Sequence, residues 1–230
     1  MGQPARYTNG TVESMEITWY GHSCFRLIER GRASIVTDPY DESLGYAIPR
    51  LKADIVTISH DSPAHNNLKA VKSVSHVIDG PGEYEIGGIF IASIATFKPP
   101  KGKAAPRRSL VNVFDFDGIT VCHLGNLDHV PAQSQIESLG TIDIILTPVG
   151  GGEGLNSSQA AEVISLLEPS IVIPMQYKMP NVTLKLDPVD KFLKEMGLGD
   201  VAQEGSLKVS SRSGLPDQTQ IVLLEYNGQD

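Results

Sequence analysis

Five short apolar runs of this chain end in a side chain that can donate, accept or transfer a proton. Val36-Thr37 runs into Asp38-Pro39, and Val56-Thr57-Ile58 runs into Ser59-His60. Ile94-Ala95-Thr96-Phe97 runs into Lys98. Val121-Cys122-His123-Leu124 runs into Gly125-Asn126, and Val172-Ile173-Pro174-Met175 runs into Gln176. Strand ends are where a rigid sheet hands side chains to a pocket. One such end is unremarkable, because every strand must stop and a solvated polar residue is the default. Five in one chain favour a common rim. Ser62 lies two residues from His60, but a nucleophile and its base must meet in space and be oriented by a third group, so this pair alone makes no triad. Gly150-Gly151-Gly152-Glu153-Gly154 lacks the Lys-Ser/Thr ending of a phosphate-binding loop.

The elements that must position these residues are mostly strands. Alternation and β-branched runs predict strands at 15–20, 23–29, 33–37, 54–58, 76–78, 88–96, 110–116 and 119–123. Residues 98–108, rich in Pro, Gly and basic side chains, read as an exposed loop. Beyond residue 130 the character changes. Helices are expected at 131–139, 157–168 and 188–196, alternating with strands at 142–148 and 171–175 and followed by closing strands at 207–209 and 220–226. A helical turn or two fits 68–71. Ser157 or Ser158 caps the second long helix, Pro169 stops it, and Asp187 caps the third with Pro188 at its first position. Residues 1–14 read as a polar tail and 15–230 as one domain of sheets covered by helices.

Composition excludes several classes. Hydrophobic residues make up 40% and charged residues 20%, the balance of a soluble globular protein rather than a disordered one. The formal charge is −8, so bulk attraction to nucleic acid or anionic lipid is not expected. No apolar run approaches the ~20 residues of a membrane helix, and the first residues lack the apolar core of a secretory signal. Cys24 and Cys122 each sit in an apolar, strand-like run and read as buried reduced thiols. A cytoplasmic location without membrane or nucleic-acid partners is the expectation, with the oligomeric state left open.

The run Ile17-Thr18-Trp19-Tyr20-Gly21-His22-Ser23-Cys24-Phe25-Arg26-Leu27 resembles the opening of the metallo-β-lactamase-fold superfamily, in its branch of small prokaryotic metal-dependent hydrolase-like proteins. Asp38-Pro39, Ser59-His60-Asp61, His65-Asn66-Asn67, Asp79-Gly80-Pro81-Gly82, His123-Leu124-Gly125, Pro148-Val149-Gly150 and Ile173-Pro174-Met175 follow in the family's order. The resemblance implies an αββα sandwich of two mixed sheets with a metal site along one edge. Enzymes of the family carry His-x-His-x-Asp-His at the end of an early strand. Imidazoles and carboxylates suit Zn²⁺ at ~2 Å, and an open position holds a water acidified to a pKa of about 7.

This chain departs from that pattern. The motif reads His60-Asp61-Ser62-Pro63-Ala64-His65, with Ser62 and Ala64 at the second histidine and the aspartate. Lys98 stands at a further histidine position, Asn126 at the bridging aspartate and Gln176 at the last histidine. Only His60 and His65 remain of seven positions, and an ammonium at Lys98 would repel a cation. The expectation is a polar cleft without metal, in a non-catalytic member that binds a small molecule or a partner. Lys98 is expected to reach into the volume where the metal would sit. His22, Asp38 and His123 support the cleft, with Asp38 backing the motif from a neighbouring strand as the resemblance implies. The competing readings are a zinc-dependent hydrolase with a relocated site (His22, His60, His65 and His123 with Asp61 or Asp128) and a metal-independent enzyme using Lys98, Ser62 and a histidine.

Overall fold

A computed structural model of the chain describes all residues except 1–6, 9–10, 13, 48–49, 99–106, 181 and 229–230. The first sheet is built from β1 (Met15–Trp19), β2 (Phe25–Ile28), β3 (Ile35–Thr37), β4 (Ile55–Thr57) and β5 (His76–Ile78). The second begins with β6 (Gly82–Ile86), β7 (Ile89–Lys98), β8 (Arg107–Phe116) and β9 (Ile119–His123). It continues with β10 (Ile144–Pro148) and β11 (Ile171–Met175). A strand β12 (Leu207–Val209) returns to the free edge of β1, and β13 (Gln220–Ile221) closes the second sheet beside β11. Within the stretch expected as a tail, Tyr7–Thr8 and Thr11–Val12 form a short antiparallel ladder.

Both sheets are mixed, and they change direction in the same way. The ladders among β12, β1, β2 and β3 are antiparallel, whereas β3, β4 and β5 run parallel. The ladders among β6, β7, β8 and β9 are antiparallel, whereas β9, β10, β11 and β13 run parallel. The burial pattern follows from this. β1 alternates buried and half-buried residues, as a strand with one covered face does, while every residue of β3, β4, β10 and β11 is buried. Ile17, Phe25, Leu27 and Ile55 of the first sheet join Ile91, Phe114, Val121 and Ile144 of the second in one core. Each such side chain contributes roughly 1.5–3 kcal/mol on burial. A second apolar cluster, with Val36, Tyr40, Val56 and Val71, lies on the other face of the first sheet.

The helices are α1 (Gln133–Leu139), α2 (Ser157–Leu167) and α3 (Val189–Glu195). α2 buries Ala160, Val163 and Ile164, three and four residues apart on one stripe, and α3 buries Phe192 and Leu193. At 68–71 there is a single 3₁₀ turn, Leu68–Ala70. Two capping expectations are corrected. Asn156, not Ser157 or Ser158, caps α2: its Oδ1 accepts from Gln159 N at 3.0 Å, and Gln159 Oε1 accepts from Asn156 N at 3.2 Å. The amide reaches the first free N–H groups because Asn156 is still extended, whereas Ser157 is already helical and spends its hydroxyl on Val149 O. Pro188 holds the cap position of α3 without a side-chain bond, because Asp187 pairs with Lys191 at 2.7 Å instead.

Removing the Asn156 cap sets a measurable stability change. Asn156→Ala is expected to cost about 1 kcal/mol and to lower Tm by roughly 2–4 °C. Calorimetric melting checks this against Ser158→Ala, an exposed change that should stay within about 0.5 kcal/mol. Equal melting of the two variants would remove the cap's role.

Candidate functional site

The parallel strands of both sheets deliver their C-terminal ends to one edge of the sandwich. Asp38 follows β3, and Ser59 and His60 follow β4, the next strand in register. Gly125 and Asn126 follow β9, and Gln176 follows β11. Ser59 O accepts from Leu110 N of β8 at 2.9 Å, which ties the two sheets together at this edge. The approach is tight at Gly125, where φ is +57° and a Cβ would lie 2.2 Å from Ser59 Cβ. Only glycine fits there.

Asp38 is the anchor. It is fully buried with φ at +40°, a conformation aspartate tolerates better than most residues. Its carboxylate accepts from Ser59 N at 2.6 Å, from the Ser59 hydroxyl, and from His65 Nδ1 at 2.9 Å. Burial alone would raise its pKa, but the charge and hydrogen bond of His65, then His123 and Ser59, hold it below the ordinary carboxylate value. His65 in turn lies between two further imidazoles. Its ring centroid is 5.1 Å from that of His22 and 6.0 Å from that of His60. His22 is buried, and desolvation, with His65 beside it, takes its pKa down to about 3. It is therefore neutral at pH 7.

The other sheet contributes amides. Gln176, at φ +54°, turns its Nε2 inward to Ser23 Oγ at 2.5 Å and Gly125 O at 3.2 Å. His123 Nε2 meets Ser23 O at 3.1 Å, and Thr37 Oγ1 donates to the same carbonyl at 2.8 Å. Asn126 is buried and shares with His60, Thr96 and Ser109 a cleft of only about 10 Å³, the room of about one water. His60 is half-buried, its Nδ1 3.3 Å from Arg108 O. Ser62 serves the turn, its carbonyl accepting from His65 N and Asn66 N. Ala64 packs against the outer apolar cluster. On the far side of His60 a cleft of about 440 Å³ is lined by Asp61, Leu68, Asp79 and Arg108.

The strand-end residues Asp38, His60, Asn126 and Gln176 thus meet at one edge, joined by His22, His65 and His123. The Lys98 side chain lies outside the described residues; its backbone ends β7 opposite Arg107. Some contributors escaped the sequence reading: Ser23, which accepts from Gln176 and Thr37, Arg108 beside His60, and His129, whose Nδ1 lies 3.0 Å from the Asp128 carboxylate at the border of the small cleft. Ser59 stood at a strand end in the sequence, but its bond to Asp38 depends on the parallel pairing of β3 with β4. Arg108 had no signal, because its position depends on the pairing of β7 with β8.

A catalytic zinc takes about three protein ligands and a structural one four. Among the described residues, no group of three His, Cys, Asp or Glu side chains stands close enough to hold a metal ion. Gln176 points N–H donors into the protein, His123 is held by Ser23, Asp61 accepts from Asn66 at 2.6 Å, and Asp128 contacts His129. Among the described residues, neither the family position nor the relocated set gathers into such a group.

Two mixed sheets with helices outside and a histidine-rich edge at their parallel strand ends define a class of scaffold best known for metal-dependent hydrolysis. The chain belongs to the metallo-β-lactamase superfamily: the Beta-lactamase superfamily domain matches residues 16–176. A solved structure from Thermotoga maritima, described as a proposed Zn-dependent hydrolase of that superfamily, is 38% identical with a TM-score of 0.74, covering 92% of this chain and 98% of its own. A UPF0173 protein of Pyrococcus furiosus is 27% identical over 79% of this chain and 90% of its own length. A UPF0173 metal-dependent hydrolase of Thermoplasma acidophilum is 25% identical over 77% and 89%. Among the described residues no helix is long and apolar enough to cross a membrane.

Proposed function

We propose that this protein is a non-catalytic member of its superfamily that binds a small polar molecule or a partner at the edge where its relatives hold metal. One observation carries the reading: no three metal-ligating side chains among the described residues come together, although the fold and the Asp38–His65 support are in place. The Ser62, Ala64, Asn126 and Gln176 replacements account for it. The cleft of about 440 Å³ beside His60 falls within the range of small-ligand sites, and its Asp61, Asp79 and Arg108 suit a molecule carrying both charge signs. No cofactor is part of this reading.

The names of the relatives favour a second reading, a metal-dependent hydrolase working from a partial site at His60 and His65. Elemental analysis of protein purified without chelator separates the two. The expected result is zinc, iron and manganese far below one ion per chain, unchanged in His60→Ala. One equivalent of metal, lost in His60→Ala and His65→Ala, would overturn the proposal and establish the hydrolase reading.

A further inference from the structure

The inner face of the second sheet carries a row of polar side chains behind the candidate site. Ser93 of β7 lies opposite Asn112 of β8, and Asn112 lies opposite His123 of β9. Directly opposed residues share a face. Two residues along each strand that face carries Ile91, Phe114 and Val121, all packed in the inter-sheet core. Ser93, Asn112 and His123 are buried, the last two with no exposed surface at all. Yet Ser93 Oγ, both amide atoms of Asn112 and His123 Nδ1 have no hydrogen-bond partner among the described residues. In the opposing sheet Thr57 Oγ1, on the face that Ile55 presents to the same core, is also buried and without a partner among the described residues.

Bare polar atoms in an apolar core are costly, and native proteins satisfy nearly all of them. The unpartnered atoms here are complementary. Ser23 O can only accept, so the His123 nitrogen facing it, Nε2, carries the ring proton. Burial holds His123 below the ordinary histidine pKa and so neutral at pH 7. Nδ1 is then a lone-pair acceptor that needs a donor. Asn112 offers one acceptor and two N–H donors, and Ser93 and Thr57 offer hydroxyls.

We infer that the Ser93–Asn112–His123 row holds a resident internal water, which donates to His123 Nδ1 and to Asn112 Oδ1 and accepts from the Ser93 hydroxyl. Three bonds are the usual complement of a buried water. Through His123 Nε2 and Ser23 the water is linked to Gln176, so the floor of the candidate site is a hydrated polar network rather than dry core. This inference does not depend on whether the site binds metal.

Solution NMR on the ¹⁵N-labelled wild-type protein tests it without a variant that must fold. The Asn112 side-chain NH₂ protons should show a negative NOE to water, the sign of a slowly exchanging molecule. The imidazole nitrogens of His123 should report the proton on Nε2. Absence of the water NOE at Asn112, a proton on His123 Nδ1, or a scalar coupling that reveals a direct Asn112 Nδ2–His123 Nδ1 hydrogen bond would each overturn the assignment.

Discussion

Lowering the pH from 7 to 5 is expected to cost the protein about 2 kcal/mol of stability through His22 alone. The folded state holds this imidazole down to about 3, first by burial and then by the neighbouring His65. The unfolded chain titrates it near 6.5. Below pH 6.5 the unfolded state therefore binds a proton that the native state refuses, and stability falls as pH falls. The slope is about 1.4 kcal/mol per pH unit for one such proton. It persists until pH approaches the folded value of about 3. His123, also lowered by burial, acts in the same direction. Asp38 adds a separate loss at lower pH. Its depressed folded pKa means that its contribution is complete above the ordinary carboxylate value near 4 and disappears as pH falls through the folded value. Urea unfolding at pH 7, 6 and 5 measures the first window. His22→Asn, which keeps a side chain tolerant of the +47° φ, should flatten the slope by about one proton. A wild-type stability that does not change between pH 7 and 5 would contradict the neutral, buried His22.

Placing histidines and aspartates at five positions around His60 and His65 should convert the protein into a zinc binder. The variant combining Ser62→His, Ala64→Asp, Lys98→His, Asn126→Asp and Gln176→His supplies five new donors to the His60–His65 pair. Asp38 already orients His65 through Nδ1, which in a neutral ring leaves Nε2 with the lone pair, the arrangement that supports ligating histidines. At free zinc 100-fold above its Kd the five-fold variant should gain about 2.7 kcal/mol of stability. Calorimetry with added zinc and isothermal titration both read this. Ser62→His alone should bind no better than wild type, because it leaves Ala64 and Asn126 without carboxylates and Gln176 still bonded to Ser23 and Gly125. Tight zinc binding by that single variant would show that the missing carboxylates are not what excludes the metal. The demanding replacement is at 176, where φ is +54° and the existing side chain packs close to Gly154. A five-fold variant that folds, as judged by its circular dichroism, and still ignores zinc would show that the backbone has moved away from ligand geometry.

What was legible in the sequence rests on local rules. Period-two alternation in 15–19, the short β-branched runs before Asp38 and Ser59, and the helix stripe of Ala160, Val163 and Ile164 depend on which residues face a core, and that is written into spacing. The residue types at Ser62, Ala64, Asn126 and Gln176 were likewise visible, and none of them brings an imidazole or a carboxylate, which folding cannot supply. Other features were decided only by the tertiary structure. That Asp38 accepts from Ser59 and His65 depends on β3 and β4 lying side by side in parallel register, a pairing across 20 residues that no local pattern specifies. That Gln176 turns inward to Ser23, 153 residues away, follows from the two sheets meeting at their parallel ends. The neutrality of His22 could not be read from its neighbours in sequence, because burial and the closeness of His65 set it, and both arise only once the sheets have packed.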